Sequence, residues 1–255
     1  MSDSLLYEIE DRVAWLTLNR PEKRNALNGD LVAALKEGLN RAATDPEVRL
    51  VALGGAGKDF CSGADLAELE RIADMGEEEN LEDARSLGAL FQQMRRHPNP
   101  IVGIVRGRAL AGGCGLASAC DLVLATDDAE FGYPEVYLGF VPALVMTILR
   151  RKVGEGRAFE LVVQGDRFGA VEAQRLGLVN RVWSVTEFDA EVTRYLTALA
   201  RKPTSALRLT KGLLYELDGL DFDAGVERSA EVNVEARMTE ECRAGVRRFL
   251  DKSNG

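Results

Sequence analysis

The sequence contains a single histidine, His97, and this scarcity limits the chemistry open to the chain. His97 stands beside two prolines in "RRHPNPIVG", where the pattern predicts a loop between a helix and a strand. A serine or cysteine nucleophile activated by histidine would have to use this one residue. We therefore expect neither such a nucleophile nor a metal site built on clustered histidines, so any chemistry must rest on carboxylates, lysines or backbone dipoles.

Cysteines are also few, at positions 61, 114, 120 and 242, and no two of them form a CxxC pair. Their spacing therefore matches neither a zinc site nor a redox motif. We expect buried free thiols in a reducing compartment.

Long apolar runs and excess positive charge are absent as well. No apolar run reaches the ~18 residues of a membrane span, and the acidic start "MSDSLLYEIEDRV" lacks the features of a signal peptide. A net charge of −9 argues against a nucleic-acid partner, although a few local basic residues could hold a phosphorylated small molecule. We expect a cytoplasmic protein with no nucleic-acid or membrane partner.

What is present is a chain of 255 residues, 46% hydrophobic, in which strand and helix patterns alternate. This length suits one large domain or a domain with an appendage. The alternation predicts an α/β fold with parallel strands and right-handed crossovers. After Pro142 the pattern is mainly helical, apart from the strand-like "LVNRVW". That helical part should pack on the core or on a neighbouring subunit.

The first elements are predicted from their hydrophobic periods. "LLYEIEDRVAWLTLNRP" predicts two strands, buried on both faces, around a turn at Glu10 and Asp11. Leu31, Leu35 and Leu39 recur at helical spacing, and Asn28 or Asp30 would cap that helix. "PIVGIVRGRAL" predicts one buried strand, and the acidic residues 77–83 predict a solvated segment.

Two segments share one local design, in which a strand runs through a tight turn of small residues into a helix. They are "FCSGADLAEL" and "ALAGGCGLASA". The first N–H groups of a helix have no intrahelical partner and lie at its positive end. Two such N–H groups aimed at one point would form an oxyanion hole, whereas glycine in a single such turn often reflects backbone geometry alone.

The candidate proton carrier is Glu135 in "FGYPEVYLGF". Its apolar neighbours would partly desolvate the carboxylate, which would raise its pKa and suit it to acid–base work. A surface glutamate at the end of a strand remains the alternative interpretation.

Six segments together resemble the crotonase family, the enoyl-CoA hydratases and isomerases. They are "LNRPEKRNALN", "FCSGADL", "RALAGGCGLASACDLVLA", "FGYPEVYLGFVP", "RLGLVNRV" and "FLDK", and the resemblance extends from about Val13 to Lys252. It implies a spiral of ββα units over residues 1–195, holding the CoA and catalytic site. It also implies a C-terminal helical trimerisation region over 196–255, and a homotrimer or a dimer of trimers.

The resemblance also assigns catalytic roles. It implies that the N–H groups of Ala64 and Gly112 form an oxyanion hole for an acyl-CoA thioester, and that Glu135 moves protons on the resulting enolate. It implies no metal and no separate cofactor, because coenzyme A is part of the substrate.

The CoA-binding residues come from the same resemblance. Asp65, Leu66 and Ala67 match the segment that lies along the CoA moiety. Lys23 and Arg24 match contacts to the pantetheine or the phosphates, and Ala26 matches a backbone contact near the adenine. Lys252 matches a lysine that reaches the CoA phosphates of a neighbouring subunit. Each of the three cations could equally be a solvated surface residue.

Gly115 departs from the family pattern, since family hydratases carry a first catalytic glutamate at this position. Two carboxylates hold a water molecule for addition across C2–C3, whereas one can still move a proton between C2 and C4. Hydration is favoured because hydratases are the larger share of family members with this general pattern. Some members also hydrate with only the second glutamate. Δ3,Δ2-isomerisation is the close alternative.

A second departure is "GFVPALVM", where many family hydratases carry "PGAGG". Leu144, Val145 and Met146 either reshape the acyl pocket or form ordinary helix core. Two further readings stay open, a non-catalytic acyl-CoA-binding or RNA-binding member and a peptidase of the related Clp-type fold. The acidic charge disfavours RNA, and the peptidase would need His97.

Overall fold

The computed structural model describes residues 3–253, apart from the side chains at 66, 252 and 253. The strands in this range are β1 Leu5–Glu10, β2 Val13–Leu18, β3 Leu50–Gly55, β4 Ile101–Val105, β5 Arg108–Leu110, β6 Leu122–Thr126, β7 Glu130–Gly132, β8 Arg167–Gly169 and β9 Arg181–Trp183.

Helices separate most of these strands and dominate after residue 142, as predicted. They are α1 Gly29–Thr44, α2 Leu66–Asp74, α3 Glu77–Arg96, α4 Gly112–Ala119, α5 Ala143–Val153, α6 Glu155–Gln164, α7 Ala170–Leu176, α8 Phe188–Ala200, α9 Thr204–Glu216, α10 Phe222–Met238 and α11 Glu240–Ser253. Short 3₁₀ turns lie at Pro21–Lys23, Pro134–Leu138 and Leu217–Gly219.

The strands form two sheets. The larger has the order β1-β2-β3-β4-β6-β9, in which β1 and β2 are antiparallel and the other neighbouring pairs are parallel. The smaller has the order β5-β7-β8, with β5 and β7 parallel. The α/β prediction with parallel strands is confirmed.

The N-terminal hairpin differs in part from its prediction. Its turn is at Asp11 and Arg12, both with left-handed φ, one residue later than predicted. Strand β2 is buried on one face and largely buried on the other, as expected. The prediction that β1 is buried on both faces is wrong, because β1 is the edge strand and Leu6 and Ile9 stay exposed.

The single strand predicted over "PIVGIVRGRAL" is also wrong, since this segment forms β4 and β5 in different sheets. Gly107 lies between them with φ +55°, a conformation that glycine adopts without strain. A Cβ at Gly107 would lie 2.2 Å from the Lys58 carbonyl oxygen, so the chain can change sheets here only with glycine.

Two predicted local features are confirmed. Asn28 caps α1, because its side chain accepts a hydrogen bond from the Leu31 N–H at 3.0 Å. Leu31, Leu35 and Leu39 are all buried on the face that α1 turns to the core. The acidic run 77–83 lies in the first turns of α3 and is largely exposed.

Helix α9 is held to the core by a buried lysine. The Lys211 ammonium donates to Asp121 Oδ2 at 2.7 Å and to the carbonyl oxygens of Met94 and Asn99. The Tyr215 hydroxyl donates to the other Asp121 oxygen at 2.6 Å. The charge of Lys211 is therefore buried with partners, which fixes α9 against the amino ends of β4 and β6.

The boundary predicted after residue 195 lies inside α8, so the division into 1–195 and 196–255 stays a prediction. Helices α10 and α11 expose large apolar side chains, including Phe222 and Phe249. Trimer formation through these helices also stays a prediction. Among the described residues, no helix combines the length and the apolar character that crossing a membrane requires.

A buried asparagine shapes the loop between β2 and α1. Asn25 has φ +54° and is fully buried. Its side-chain oxygen accepts from the Arg20 N–H at 2.9 Å, and its amide donates to the carbonyl oxygens of Ala56 and Asp59 at 2.9 and 2.8 Å. Asparagine tolerates left-handed φ better than most residues. It therefore suits the backbone at this position while its side chain hydrogen-bonds three backbone groups.

We predict that Asn25→Ala lowers the free energy of unfolding by about 2–4 kcal/mol, because one buried and two partly buried polar groups lose their partner and alanine is strained at positive φ. Urea unfolding measures this loss. Asn28→Ala, which removes only a helix cap, is the control and should cost about 1 kcal/mol. An Asn25→Ala loss no larger than that of the control would contradict this role.

Candidate active site

Three chain segments end side by side at one edge of the smaller sheet. Cys61 pairs in parallel with Ala109, and β5 pairs in parallel with β7 so that Leu110 lies opposite Gly132. The carboxyl ends of parallel strands point the same way. The turns that follow Cys61, Leu110 and Gly132 therefore meet, and they carry the three predicted catalytic groups.

The Ala64 N–H faces away from the segment that pairs with it. Leu27 donates its N–H to the Gly63 carbonyl at 2.7 Å and accepts from the Asp65 N–H at 2.9 Å. In a parallel bridge of this kind, the backbone groups of the residue between the two bonds point to the opposite side. Within residues 3–253 the Ala64 N–H has no acceptor, and Ala64 is exposed.

The Gly112 N–H opens α4 and has no intrahelical acceptor. The preceding residue, Ala111, has φ +49° and ψ −127°, a strained backbone for alanine. Its own N–H donates to the Gly132 carbonyl at 2.8 Å, which holds the strained residue in place. This conformation turns the peptide between Ala111 and Gly112 so that its N–H leaves the turn without a partner in the described chain.

The two turns are in contact. A Cβ at Gly63 would lie 3.7 Å from the Gly112 nitrogen and 2.9 Å from the Ala111 Cβ. A Cβ at Gly113 would lie 2.2 Å from the Cys61 carbonyl oxygen. Small residues are thus required for the turns to approach, and the structure brings Ala64 and Gly112 into neighbouring positions.

Glu135 lies in the 3₁₀ turn Pro134–Leu138, three residues after β7 ends. Its side chain is buried, and Oε2 has no hydrogen-bond partner in the described residues. Burial raises the pKa of the carboxyl, and its own backbone N–H offsets this only in part. The surface interpretation is therefore wrong, and Glu135 has the desolvated carboxyl that its apolar neighbours predict.

A buried polar cluster lies beside Glu135. Tyr133 is fully buried, and its hydroxyl lies 3.0 Å from the Ser118 hydroxyl oxygen. Burial raises the pKa of the Cys114 thiol to about 12, and the nearby Glu135 charge acts in the same direction. Cys61, Cys114 and Cys120 are buried free thiols, as predicted, and none has the lowered pKa of a reactive cysteine. Cys242 is also free but only partly buried, so its predicted burial is wrong.

Gly115 lies three residues after Gly112, so the two share one face of α4. A Cβ at this position would lie 2.4 Å from Val145 Cγ2 and 3.6 Å from Phe91 Cζ. Val145 is buried, while Leu144 and Met146 are partly buried against the same core. The apolar residues of α5 therefore belong to the core, and Val145 fills the space beside Gly115.

The predicted CoA-binding segments run side by side. The Ser62 N–H donates to the Arg24 carbonyl at 3.1 Å, so the loop that holds Lys23 and Arg24 lies against the first turn. Both cations are exposed there, whereas Ala26 is buried and its carbonyl accepts from Arg20 at 2.5 Å.

Asp65 is already engaged within the chain. Its carboxylate accepts from the Arg20 guanidinium at 2.6 Å and from the Ala67 N–H at 3.1 Å, which lowers the pKa of the carboxyl. It thereby caps α2 and ties this helix to the Arg20 loop. Ala67 is exposed beside it, and the side chains of Leu66 and Lys252 lie outside the described residues.

His97 ends α3 in a loop, as predicted, and is buried. The Asn99 N–H donates to its Nδ1 at 3.2 Å, and Nε2 lies 3.1 Å from the Leu39 carbonyl oxygen. Burial lowers the pKa of the ring, which fits a neutral structural histidine. In the described part of the chain, no three His, Cys, Asp or Glu side chains group as a metal site would require.

Sequence reasoning missed the roles of Arg20 and Ala111, and it named Val145 without its contact to Gly115. Arg20, which joins Asp65 to Ala26, lies 45 residues from Asp65, and no local pattern reports such a pair. The strain at Ala111 has no signal in the sequence. Each member of the Val145–Gly115 contact does leave a signal in the sequence. The "PALVM" segment has large residues where the family pattern has small ones, and Gly115 is small where the family pattern has a glutamate.

The chain matches the enoyl-CoA hydratase/isomerase family model over residues 8–255. A protein of Thermus thermophilus, named as a candidate enoyl-CoA hydratase, is 43% identical over 94% of this chain and 95% of its own length. The crotonyl-CoA hydratase of Syntrophomonas wolfei is 35% identical over 98% and 96%. A crystal structure of an enoyl-CoA hydratase from Mycobacterium smegmatis superposes with a TM-score of 0.94 at 34% identity, covering 98% of this chain and 97% of that one.

We predict that Glu135→Gln raises the Tm at pH 8 and that the difference shrinks toward zero as the pH falls to 4. Burial raises the pKa of Glu135 above its unfolded value, so the stability of the protonated fold is lost as the pH rises through the folded pKa. Calorimetry at several pH values measures the difference. Glu8→Gln, at an exposed site in β1, is the control, and a pH-independent difference at 135 would contradict the prediction.

Proposed function

Because the chain belongs to the enoyl-CoA hydratase/isomerase family, we propose that it is an enzyme that adds water to the C2–C3 double bond of an enoyl-CoA thioester. One observation carries this proposal. A buried carboxylate oxygen of Glu135 shares an edge of the sheet with two N–H groups, and none of the three has a hydrogen-bond partner among the described residues. The names of two relatives, a crotonyl-CoA hydratase and a short-chain-enoyl-CoA hydratase, support the same reaction.

In this proposal the thioester oxygen accepts hydrogen bonds from the N–H groups of Ala64 and Gly112. Negative charge grows on that oxygen when the enolate forms, and donors fixed beforehand stabilise it without reorganising. Gly112 adds the positive end of the α4 dipole. No separate cofactor takes part, because coenzyme A belongs to the substrate.

Glu135 is the acid and base of the reaction. The ionised carboxylate takes a proton from water while the water oxygen bonds to C3 and the C2–C3 π electrons move into the thioester enolate. The protonated carboxyl then donates that proton to C2, which regenerates the carboxylate. Its raised pKa suits both steps, because the two protonation states differ less in free energy near neutral pH.

Δ3,Δ2-isomerisation is a second candidate, favoured by the packing of Val145 on Gly115. Glu135 would take a proton from C2 of a 3-enoyl-CoA and return it at C4, which moves the double bond to C2–C3. This reaction needs one carboxylate and no water.

Binding and assembly complete the proposal. Lys23 and Arg24 are exposed beside the first turn and would face the phosphates or pantetheine of CoA, with Lys252 of a neighbouring subunit. We place the enzyme in the cytoplasm as a homotrimer or a dimer of trimers, with acyl-CoA as its partner and neither nucleic acid nor membrane.

We predict that the purified protein converts crotonyl-CoA to a product heavier by one water, and that Glu135→Gln lowers kcat/KM at least about 100-fold. Mass spectrometry of reactions with paired 2-hexenoyl-CoA and 3-hexenoyl-CoA identifies the reaction. A shifted double bond without a mass change would assign isomerisation. Tight CoA binding without turnover of either substrate would contradict both reactions and favour a non-catalytic member.

We predict that Ala64→Pro, which removes the N–H, lowers kcat/KM about 100- to 1,000-fold, the loss typical of one oxyanion-hole donor. Ala64→Ser keeps the N–H at the same exposed position and is the matched control. Circular dichroism checks that both variants fold. Equal activity of the folded proline variant and the serine control would exclude this N–H from the oxyanion hole.

A further inference from the structure

Gly115 lies in the interior of α4, where most other residues would stabilise the helix better. Gly115 lies in the middle of Gly112–Ala119 and is fully surrounded. Glycine is among the poorest helix formers, so its presence in a buried helix calls for a packing reason. The reason here is Val145, since a Cβ at position 115 would lie 2.4 Å from Val145 Cγ2.

Val145 cannot easily move aside. It is β-branched and lies in α5, where valine keeps essentially one side-chain rotamer. Its side chain is 4% exposed, and α5 packs along α4. Phe91 of α3 closes the same space, with its ring 3.6 Å from the Cβ position. Any side chain at 115 therefore requires a change at 145.

The space that Val145 fills borders the candidate site. Gly115 is one helical turn beyond the Gly112 N–H and on the same face. Cys114, one of the two residues between them, lies close enough to Glu135 for that charge to raise the pKa of its thiol. Position 115 is therefore adjacent in the chain to a residue within electrostatic range of Glu135, and Val145 fills the space that a side chain at 115 would take.

We propose that Val145 is the specificity-determining residue that keeps this a one-carboxylate site, by excluding every side chain from position 115. The inference rests on the proposed function, since it concerns how the same enolate is partitioned. Val145 and Phe91, the side chains nearest to a Cβ at 115, carry no hydrogen-bonding group and could not hold a water molecule there. The Gly115–Val145 pair therefore limits water addition relative to the double-bond shift.

The packing half of the proposal is tested without activity. Gly115→Ala should lower the Tm in the wild-type background, by about 3–8 °C, because the new methyl group collides with Val145. In the Val145→Ala background, Gly115→Ala should instead raise the Tm, because alanine is the better helix former and the space is open. The same sign in both backgrounds would overturn the proposal.

The functional half is tested by the ratio of hydration to isomerisation on 2-hexenoyl-CoA and 3-hexenoyl-CoA. Relative to Val145→Ala, the double variant Gly115→Glu/Val145→Ala should raise this ratio at least about tenfold, because a second carboxylate can now hold and activate water. Gly115→Gln/Val145→Ala has the same size without the charge and should raise it far less. An unchanged ratio in a folded, CoA-binding Gly115→Glu/Val145→Ala protein would overturn the proposal.

The proposed function and the role of Val145 would be contradicted by different results. If the wild-type protein turns over neither substrate, the proposed function is wrong, whereas the sign of the Tm change still tests the packing. If the wild type is active and Gly115→Glu alone is as stable as the wild type and gains hydration, Val145 does not exclude a side chain from 115.

Discussion

Parallel backbone pairing in the smaller sheet is the constraint on which the candidate site depends. The pairs Cys61–Ala109 and Leu110–Gly132 bring three turns to one edge, although the chain segments are up to about 70 residues apart. Gly113 lets the second turn approach the Cys61 carbonyl, where a Cβ would come within 2.2 Å. The hydrogen bond from Ala111 to Gly132 holds a strained peptide, so backbone geometry presents the Gly112 N–H of the candidate site.

Much of this arrangement is readable from local patterns. Hydrophobic periods predict α1, the strand–helix alternation and the helical part after Pro142. Glycine turns before helices predict unpartnered N–H groups in the first helical turn, which fits Gly112, whereas Ala64 lies before α2 begins and is assigned by the family resemblance alone. What escapes is non-local. The exposure of β1 depends on its edge position, and the division of β4 from β5 depends on Gly107 meeting the Lys58 carbonyl.

Glu135 illustrates both limits. Its apolar neighbours in sequence predict desolvation, and burial does raise the pKa of its carboxyl. That Oε2 has no hydrogen-bond partner in the part of the chain that the structure describes, however, depends on what surrounds it in space. Position 115 follows the same rule, because a glycine in sequence shows an absent acid but only the fold shows Val145 in its place. Residues that couple through packing are visible singly in the sequence and as a pair only in the structure.

The proposed oxyanion hole requires two N–H groups at the meeting turns to polarise a thioester carbonyl. Isotope-edited infrared spectroscopy of crotonyl-CoA carrying ¹³C at the thioester carbon measures this directly on the bound substrate of the Glu135→Gln protein. We expect a carbonyl stretch at lower frequency than in water, with most of that shift lost when Ala64→Pro is added. A stretch that stays at its frequency in water, with crotonyl-CoA demonstrably bound, would show that these N–H groups do not polarise the carbonyl.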